Sequence, residues 1–316
     1  MPKKIIIDCD PGLDDAIAIL LAAGNPDVEI VALTTVAGNQ TIEKVTLNAR
    51  QVCTLAGLRG VPVAAGAGGP LVRDQTLAAE IHGDTGMDGP AFIPPAMETD
   101  PRHAVDLIIE TVLAHPGEIT LVPTAPLTNI ALALRREPRI AELVKEVVLM
   151  GGSYTRGNIT PAAEFNIHAD PEAAAIVFSA GWPLTMVGLD LTAQAAATPE
   201  LLSRIGTLGT PVSRFVVALL DHYNANVGKV HGAMATIHDA CAVGRAIDPS
   251  LMEVTPAHVE VELRGTATYG MTVTDFRGRS GPANTSVATK LHTERLWDLL
   301  ISSLETIAAT TARTSA

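Results

Sequence analysis

Four aspartates lie within eight residues near the start of the chain, at Asp8, Asp10, Asp14 and Asp15. At neutral pH these carboxylates repel one another unless a positive charge lies between them. Asp10 follows an apolar run and Asp15 begins a predicted helix, so the tight Pro-Gly turn between them can fold both carboxylates around one point. Oxygen-only ligands favour a hard cation such as Ca²⁺ or Mg²⁺ over zinc. The cluster predicts a divalent-cation site; the alternative is that Asp14 and Asp15 only cap the helix while the other two are solvated.

Further polar residues follow other predicted strands. Asn39 comes after the second strand, Thr124 comes after a middle one, and Asn158 and Glu164 lie beyond the strand that ends at Met150. In open parallel sheets, ligands bind outside the carboxyl ends of the strands. These residues are far apart in sequence, so their common position after strands predicts that they converge on one site.

A histidine–aspartate pair, His238-Asp239, opens a predicted helix far downstream. Asp239 could complete the oxygen shell of a cation, and His238 would then lie beside it as an acid or base near physiological pH. The alternative is a helix cap with an exposed imidazole. The pair gains its functional interpretation from the other motifs.

Alternating strand and helix patterns position these residues. Short apolar runs bounded by turn residues predict strands, and periodic segments between them predict helices. The predicted strands are 4–7, 28–36, 61–65, 119–123, 147–150 and 184–189, and the predicted helices are 15–23, 41–56, 104–114, one after Pro126, and 171–180. Repeated units of this length predict an α/β fold: a doubly wound, mostly parallel sheet with helices on both faces.

The C-terminal third has a different pattern. Helical segments run from about 201 to 227 and again from 239, and strand-like runs at 254–263 and 272–275 precede a helix from about 294. We find no linker and no repeat, so a single domain over 1–309 is predicted. The small, polar residues 310–316 predict a disordered tail.

One long segment between the predicted elements is rich in glycine and proline. It spans 66–99 and contains His82-Gly83-Asp84-Thr85-Gly86. Long ordered loops in compact domains are often functional. We therefore expect this loop to contribute to the site.

The composition limits the class of partner. Acidic residues outnumber basic ones by 34 to 22, which gives a formal charge of -12. Such a surface repels phosphates and anionic lipid, so neither a nucleic-acid partner nor a membrane partner is expected. The three cysteines, at Cys9, Cys53 and Cys241, have no disulfide or zinc spacing and are expected to be reduced. The apolar run after Met1 is too short for a signal peptide, so a cytoplasmic location is expected.

Taken together, the motifs resemble those of the inosine-uridine nucleoside N-ribohydrolase family. The matching segments run over nearly the full length: Asp8 to Ala16, Val36 to Asn39, His82 to Gly86, Pro123 to Asn129, Met150 to Gly152, Ala163 to Asn166, and His238-Asp239. The aspartate motif is highly specific, and its conjunction with Glu-Phe-Asn and His-Asp leaves little room for chance. The resemblance implies a Rossmann-like nucleoside hydrolase fold and, for the assembly, a homotetramer.

The resemblance also implies residue roles. Ca²⁺ would be bound by Asp10, Asp15, Asp239 and the carbonyl of Thr124, and Asp10 would also deprotonate a calcium-bound water. The implied substrate-binding set, most of which would hold the ribose hydroxyls, consists of Asp14, Asn39, Met150, Asn158, Glu164, Phe165 and Asn166. Asp8 has no firm role beyond supporting the others, and Phe165 can equally be a core residue.

Two histidines are implied on the side of the nucleobase. His238 would act as the acid for the departing base, and His82 resembles the base-side histidine of pyrimidine-preferring members. Tyr223 and His231 lie just before His238 and either contact the base or have an ordinary packing role. This combination favours uridine and cytidine over purine nucleosides, with broad inosine-uridine specificity as the alternative.

The implied reaction is Ca²⁺-dependent hydrolysis of the N-glycosidic bond of a ribonucleoside to free nucleobase and ribose. Its transition state has oxocarbenium character, which fixed carboxylates and amides around the sugar stabilise. A phosphatase interpretation of the Asp-Cys-Asp motif is weak, because Gly12 stands where that family has Thr or Val. A nucleoside deoxyribosyltransferase with Glu164 as nucleophile has no use for four carboxylates. A non-catalytic nucleoside-binding protein would usually carry an export signal.

Overall fold

The computed structural model describes residues 1–91 and 93–314, and the side chains of His231 and Thr314 fall outside the description. Within these residues nine strands form one sheet: β1 Lys3–Cys9, β2 Val28–Thr35, β3 Val63–Ala65, β4 Ile119–Pro123, β5 Glu146–Met150, β6 Leu184–Val187, β7 Met252–Val261, β8 Thr272–Asp275 and β9 Thr285–Leu291. Their order across the sheet is β3-β2-β1-β4-β5-β6-β9-β7-β8. The pairings from β3 to β9 are parallel, whereas β7 pairs antiparallel with both β9 and β8. The predicted α/β fold with a mostly parallel sheet is confirmed.

Helices cover both faces of this sheet. The described residues form thirteen: α1 Leu13–Ala23, α2 Ile42–Leu55, α3 Ala79–His82, α4 Ala104–Ala114, α5 Thr128–Arg136, α6 Ile140–Leu143, α7 Phe165–Ala169, α8 Pro171–Phe178, α9 Leu189–Thr192, α10 Pro199–Thr207, α11 Pro211–His231, α12 His238–Ile247 and α13 Thr293–Thr314. No helix of 1–91 and 93–314 combines the length and apolarity needed to cross a membrane.

The first strand explains why its sequence is uniformly apolar. Successive side chains of a strand point to opposite faces, so a central parallel strand buries both sets. Ile5 and Ile7 pack in the layer formed with α1, α2, α11, α12 and α13, whereas Ile6 packs in the layer with α4, α5 and α8. All three isoleucines are fully buried. The carboxyl end of β1 is thereby fixed between two rigid layers.

The connections reverse direction next to β1. The chain runs outward through β1, β2 and β3 and then returns to place β4 on the other side of β1. Such a reversal opens a crevice at the carboxyl ends of the two central strands, which is where ligands bind in this class of sheet. Asp10 directly follows β1 and Thr124 directly follows β4.

The structure departs from the sequence prediction at β9 and at the C-terminal tail, among other places. The sequence indicated no strand at β9. Its residues, TSVATKL, are half polar and offer no apolar run, which matches a strand of which only some residues are buried. The predicted disordered tail at 310–316 is wrong as far as Thr314, because α13 continues to that residue. Buried Leu304 and Ile307 hold this helix on the core, and residues 315–316 lie outside the described part of the chain.

Candidate active site

The turn between β1 and α1 folds Asp15 back over the end of the strand. The carboxylate of Asp15 accepts hydrogen bonds from the backbone N–H of Gly12 at 3.1 Å and of Asp10 at 3.3 Å. Only glycine fits at position 12, because a Cβ there would lie 2.4 Å from Nδ1 of His82 and 2.8 Å from Nδ2 of Asn39. The turn therefore brings a histidine and an asparagine from other segments against the aspartates.

Three carboxylates gather at the start of two helices. Ligand oxygens of Asp14, Asp15 and Asp239 lie within 4.8 Å of one another, and all three side chains are buried. The first two belong to the first turn of α1 and the third to the first turn of α12, whose N-terminal ends favour negative charge. Ionised carboxylates this close together repel one another unless they share a proton or a cation lies between them.

Burial and repulsion perturb these groups strongly. Burial, followed by the charge of Asp15, raises the pKa of Asp14 from 3.8 to about 7. Burial and the charges of Asp14 and Asp15 raise the pKa of Asp239 well above its usual range. None of the ion pairs within the described residues involves an aspartate of this cluster. In the described part of the chain, this negative charge therefore has no lysine or arginine within ion-pair distance.

Asp10 stands beside this group. Its Oδ2 accepts a hydrogen bond of 2.6 Å from the backbone N–H of Asn39, whereas its Oδ1 is buried with no hydrogen-bond partner among the described residues. Burial and then the charge of Asp15 raise the pKa of Asp10 well above its usual range. An orphaned buried carboxylate oxygen next to three clustered carboxylates fits a hard divalent cation. The geometric cluster contains Asp14 where the sequence interpretation grouped Asp10 with Asp15 and Asp239.

Thr124 makes hydrogen bonds to other site residues through its N–H, its hydroxyl and its carbonyl. Its N–H donates to the carbonyl of Asp8 at 2.8 Å, and its hydroxyl donates to Oδ1 of Asp15 at 3.0 Å. Its carbonyl, the expected metal ligand, accepts a hydrogen bond of 3.0 Å from Nδ2 of Asn166. A carbonyl oxygen has two lone pairs, so one acceptor position of Thr124 is left for a cation.

Two of the residues expected to bind ribose are held rigidly by backbone groups. Glu164 caps α7, and its carboxylate accepts hydrogen bonds from the N–H groups of Asn166, Ile167 and Gly152 at 2.9, 3.1 and 2.9 Å. Burial nonetheless raises the pKa of Glu164 to about 7. Nδ2 of Asn166 donates to the carbonyls of Thr124 and Met150, which leaves its Oδ1 free within the described residues.

Asn39 joins the same site from the end of β2. Its Nδ2 donates to the carbonyl of Asp10 and to Oδ2 of Asp15, each at 3.2 Å. The structure therefore brings Asn39 and Asn166 to the carboxylates, together with Met150 through its contact with Asn166. The strand ends predicted this convergence for Asn39 and Thr124, whereas the roles of Asn166 and Met150 were implied only by the family resemblance.

Asn158 and Phe165 are placed less centrally. Asn158 is exposed, and its Oδ1 accepts a hydrogen bond of 2.9 Å from the N–H of Phe165. Phe165 is half-buried at the first position of α7. No hydrogen bond within the described residues connects Asn158 to the aspartates, so in this conformation it supports the loop before α7.

Three aromatic side chains form the other side of the site. His82, on α3, accepts a hydrogen bond of 3.1 Å at Nδ1 from the N–H of Leu13, and its ring lies 5.8 Å from that of Tyr223 on α11. His238, the first residue of α12, has its Nδ1 2.7 Å from the hydroxyl of Thr192. Burial lowers the pKa of His82 to about 3 and that of His238 to about 4, with His238 contributing to the shift of His82.

The sequence reasoning missed some supporting residues. Asn129 is fully buried at the start of α5, where its Nδ2 donates to Oδ1 of Asp8 at 2.8 Å and to the carbonyl of Thr35 at 2.9 Å. Thr34 donates to the same oxygen of Asp8 at 2.6 Å. Asn48 of α2 donates to the carbonyls of Pro11 and Thr85 and so ties the aspartate turn to the segment after His82. A polar residue inside an apolar helix face was the only available signal for Asn48.

Comparisons with known proteins agree with this geometry. The sequence model of a family described as inosine-uridine preferring nucleoside hydrolase matches residues 5–298. The chain is 54% identical over 311 residues to the inosine-uridine preferring nucleoside hydrolase of Leishmania major, an alignment that covers 97% of this chain and 99% of that protein. It is 45% identical over 300 residues to the pyrimidine-specific ribonucleoside hydrolase RihB of Escherichia coli (strain K12), covering 94% and 96% of the two chains.

Solved structures give the same result. The purine-preferring ribonucleoside hydrolase from Gardnerella vaginalis aligns with a TM-score of 0.91 at 33% identity, covering 98% of this chain and 100% of that one. The resemblance carried by the motifs is thus confirmed over the whole length. The chain belongs to the inosine-uridine preferring nucleoside hydrolase family, and it is an enzyme that cleaves ribonucleosides.

Proposed function

We propose that this enzyme hydrolyses the N-glycosidic bond of ribonucleosides in a Ca²⁺-dependent reaction, with uridine as a substrate. The observation that carries the proposal is the buried carboxylate cluster at the crevice between β1 and β4, which forms no ion pair with a cationic side chain among the described residues. Calcium is favoured because every donor in the cluster is an oxygen.

For the cation we propose four ligands: the carboxylates of Asp10, Asp15 and Asp239 and the carbonyl of Thr124. The orphaned Oδ1 of Asp10 and the unshared lone pair of the Thr124 carbonyl support this set. Asp14 lies in the same cluster as Asp15 and Asp239, so its carboxylate could also bind the cation. We assign it to ribose on the condition that Asp10 is the cation ligand. When bound, the cation would lower the pKa of a coordinated water and balance the buried negative charge.

Asp10 is the proposed base. Oδ2 is fixed by the N–H of Asn39, so the side chain is oriented and the buried, unpartnered Oδ1 can accept a proton from the attacking water. A correctly placed base contributes about 10²- to 10⁴-fold to the rate of such a reaction.

Ribose is proposed to bind to Asp14, Asn39, Glu164 and Asn166, with Asn158 joining them if its loop closes. The carboxylate of Glu164 cannot move without breaking three backbone hydrogen bonds, so it presents fixed negative charge to a sugar that becomes oxocarbenium-like. The same bonds argue against Glu164 as the nucleophile of a deoxyribosyltransferase, because a nucleophile needs an oxygen free to approach carbon.

The nucleobase is proposed to bind between His82, Tyr223 and His238. His238 would assist departure of the base, and His82 would contact it. The name of the 54% identical relative includes both inosine and uridine, and the 45% identical relative is named pyrimidine-specific, a class to which uridine belongs. We therefore propose activity on pyrimidine nucleosides, and the 54% identity favours inosine as a second substrate.

One assay tests the proposal. Purified enzyme is incubated with uridine, cytidine and inosine, with Ca²⁺ or with EDTA, while free base and reducing sugar are measured. Release of uracil that stops with EDTA and returns with Ca²⁺ is expected; no release of base from any nucleoside with Ca²⁺ present would refute it. Ratios of kcat/KM for uridine and inosine then separate pyrimidine preference from broad specificity.

Two further expectations accompany this proposal. We propose a homotetramer, which light scattering coupled to size-exclusion chromatography would test. A cytoplasmic location stays a prediction, and fractionation of the source cells would test it.

A further inference from the structure

Thr192 occupies a special position on the nucleobase side of the site. It ends α9, the short helix that directly follows β6, and its side chain is fully buried. Its Oγ1 lies 2.7 Å from Nδ1 of His238, and this is its one side-chain hydrogen bond within the described residues. The sequence had predicted strand through 189 and gave Thr192 no role.

The direction of this hydrogen bond follows from the hydroxyl proton. A threonine hydroxyl carries one proton, and buried polar groups almost always satisfy their hydrogen bonds. In the described part of the chain this hydroxyl forms no hydrogen bond to an acceptor other than His238. The hydroxyl therefore donates to Nδ1, and neutral His238 carries its own proton on Nε2.

We infer that Thr192 is a positioning residue that holds His238 in the Nε2–H tautomer, as a neutral hydrogen-bond donor to the departing nucleobase. This inference rests on the proposed function, because it needs a base beside His238. Nε2 of His238 makes no hydrogen bond to the protein among the residues described, so it is free to donate.

An independent contact imposes the same tautomer on His82. The backbone N–H of Leu13 can only donate, so Nδ1 of His82 must be the acceptor and its proton must lie on Nε2. Two neutral imidazoles with free Nε2–H groups would then form the base side of the site. Such a pair recognises acceptor atoms, namely the carbonyl oxygens of a pyrimidine or the unprotonated ring nitrogens of a purine.

The chemistry requires no proton transfer from histidine. As the C1′–N bond breaks, its electron pair goes to the base, and negative charge spreads to the base's acceptor atoms. C1′ forms its new bond to the oxygen of the attacking water, whose proton goes to Asp10, and the released base takes up a proton from solvent. A fixed N–H donor stabilises that developing charge in a buried site. A neutral imidazole can be this donor, because neutral histidines in other enzymes polarise substrate carbonyl groups by hydrogen bonding.

Three variants test the inference. Thr192→Val keeps the shape and removes the hydroxyl, Thr192→Ser keeps the hydroxyl, and Thr185→Val is a matched control in buried β6 whose hydroxyl makes no side-chain hydrogen bond among the described residues. With uridine, Thr192→Val is expected to lower kcat by roughly 10- to 100-fold with KM changed less, because the donor acts mainly in the transition state. Thr192→Ser should restore most of the rate, and Thr185→Val should match the wild type.

A second substrate separates leaving-group assistance from a structural effect. p-Nitrophenyl riboside releases a stable anion that needs no donor, so Thr192→Val is expected to leave its hydrolysis nearly unchanged. In a His238→Ala background, Thr192→Val should add nothing to the loss with uridine. Equal slowing of both substrates, or a Thr192→Ser variant as slow as Thr192→Val, would overturn the inference.

The tautomer itself can be observed without turnover. Long-range ¹H–¹⁵N correlation spectra of histidine-labelled enzyme, assigned with His238→Ala, should place the His238 proton on Nε2 in the wild type. Thr192→Val should change the His238 pattern and leave that of His82 unchanged as an internal reference. A wild-type proton on Nδ1 would overturn the inference even if hydrolysis is observed. Conversely, an Nε2 proton in an enzyme that cleaves no nucleoside would refute the proposed function and keep the tautomer.

Discussion

The two sides of the active site are built differently. On the side proposed to bind the cation and the ribose, Asp10, Asp15, Asn39 and Thr124 come from the ends of central strands or the turns directly after them, and each makes hydrogen bonds to the others or to backbone. On the nucleobase side, His82 comes from a four-residue helix within a long loop. Short peripheral elements are free to vary without disturbing the sheet, whereas the strand ends are not.

The substrates in the names of the relatives are consistent with this difference between the two sides. One 54% identical relative is called inosine-uridine preferring, another at 45% is called pyrimidine-specific, and a structural neighbour at 33% is called purine-preferring. All three names share the ribosyl group and differ in the base. This pattern is consistent with a rigid side that binds the ribosyl group and an adaptable side that binds the base.

Removal of the metal should have the largest effect, because it acts on the rigid side as a whole. We expect EDTA to abolish hydrolysis of every nucleoside equally. Metal-free enzyme should also lose stability as pH rises. Burial raises the pKa of Asp8 and Asp14 from 3.8 to about 7, so the folded state keeps protons that the unfolded chain releases first, and stability falls between pH 4 and 7.

Melting temperatures with Ca²⁺ and with EDTA at pH 5, 6, 7 and 8 check this sign. A bound cation balances the carboxylates, so the gap between the two curves should widen towards high pH. A gap that stays constant over this range would contradict the idea that the cation balances these charges.

Asp10→Asn should come next in size. The amide keeps the shape and cannot accept the proton of water, so kcat should fall about 10³-fold for uridine and inosine alike. Asp27→Asn, in the exposed turn before β2, is the matched control and should be fully active. If Asp10→Asn keeps wild-type kcat, another group is the base.

Asn129→Ala tests how firmly the strand ends are held. It removes the amide that donates to Oδ1 of Asp8 and to the carbonyl of Thr35, and that accepts a hydrogen bond from the N–H of Ala67. Because these groups are buried, we expect a loss of about 2–4 kcal/mol in the free energy of unfolding, measured by urea denaturation. Asn25→Ala, a turn residue with one side-chain hydrogen bond, should cost only about 1 kcal/mol. Similar losses in the free energy of unfolding for the two variants would mean that the hydrogen bonds of Asn129 do not stabilise the strand ends more than an ordinary turn contact does.

His82→Ala should have the smallest effect and should act on the base only. We expect the ratio of kcat/KM for uridine to that for inosine to change about tenfold, the size expected from loss of one contact to a base. Calcium affinity should be unchanged, because no carboxylate is removed. His258→Ala, on β7 at the far end of the sheet, should leave the ratio as it is. A change in calcium affinity with an unaltered ratio would show that His82 belongs to the metal side.

The contrast between the two sides also explains what the sequence could predict. Strand-end residues are recognisable because their positions follow from the alternation of strands and helices, so the convergence of Asn39 and Thr124 on the aspartate turn was predictable. Which carboxylates lie within a few ångströms was not, and Asp14 proved closer to Asp239 than the predicted grouping suggested. That distance depends on the relative placement of α1 and α12, which are more than two hundred residues apart in sequence.

Residues that act through another side chain were equally hidden. Thr192 and Asn48 lie in segments whose composition is ordinary for a helix. The role of Thr192 depends on one distant partner, His238, and that of Asn48 on two distant carbonyls, those of Pro11 and Thr85. Strand β9 was missed for a similar reason, since its half-polar sequence matches its half-buried position and offers no apolar run.

The placement of β9 has a consequence for synthesis on the ribosome. This strand lies between β6 and β7 in the sheet, yet it is made after both of them. Until residues 285–291 have emerged, the nascent chain carries an unpaired edge on β6 and a β7–β8 hairpin with nothing to join. Such an edge is a template for association with other chains. Polar residues on a strand are a common means of limiting edge-to-edge association, and β9 carries threonine, serine and lysine. The edge of β6 stays unpaired until β9 joins it, so we expect the chain to be most prone to association with a neighbour just before this strand is made.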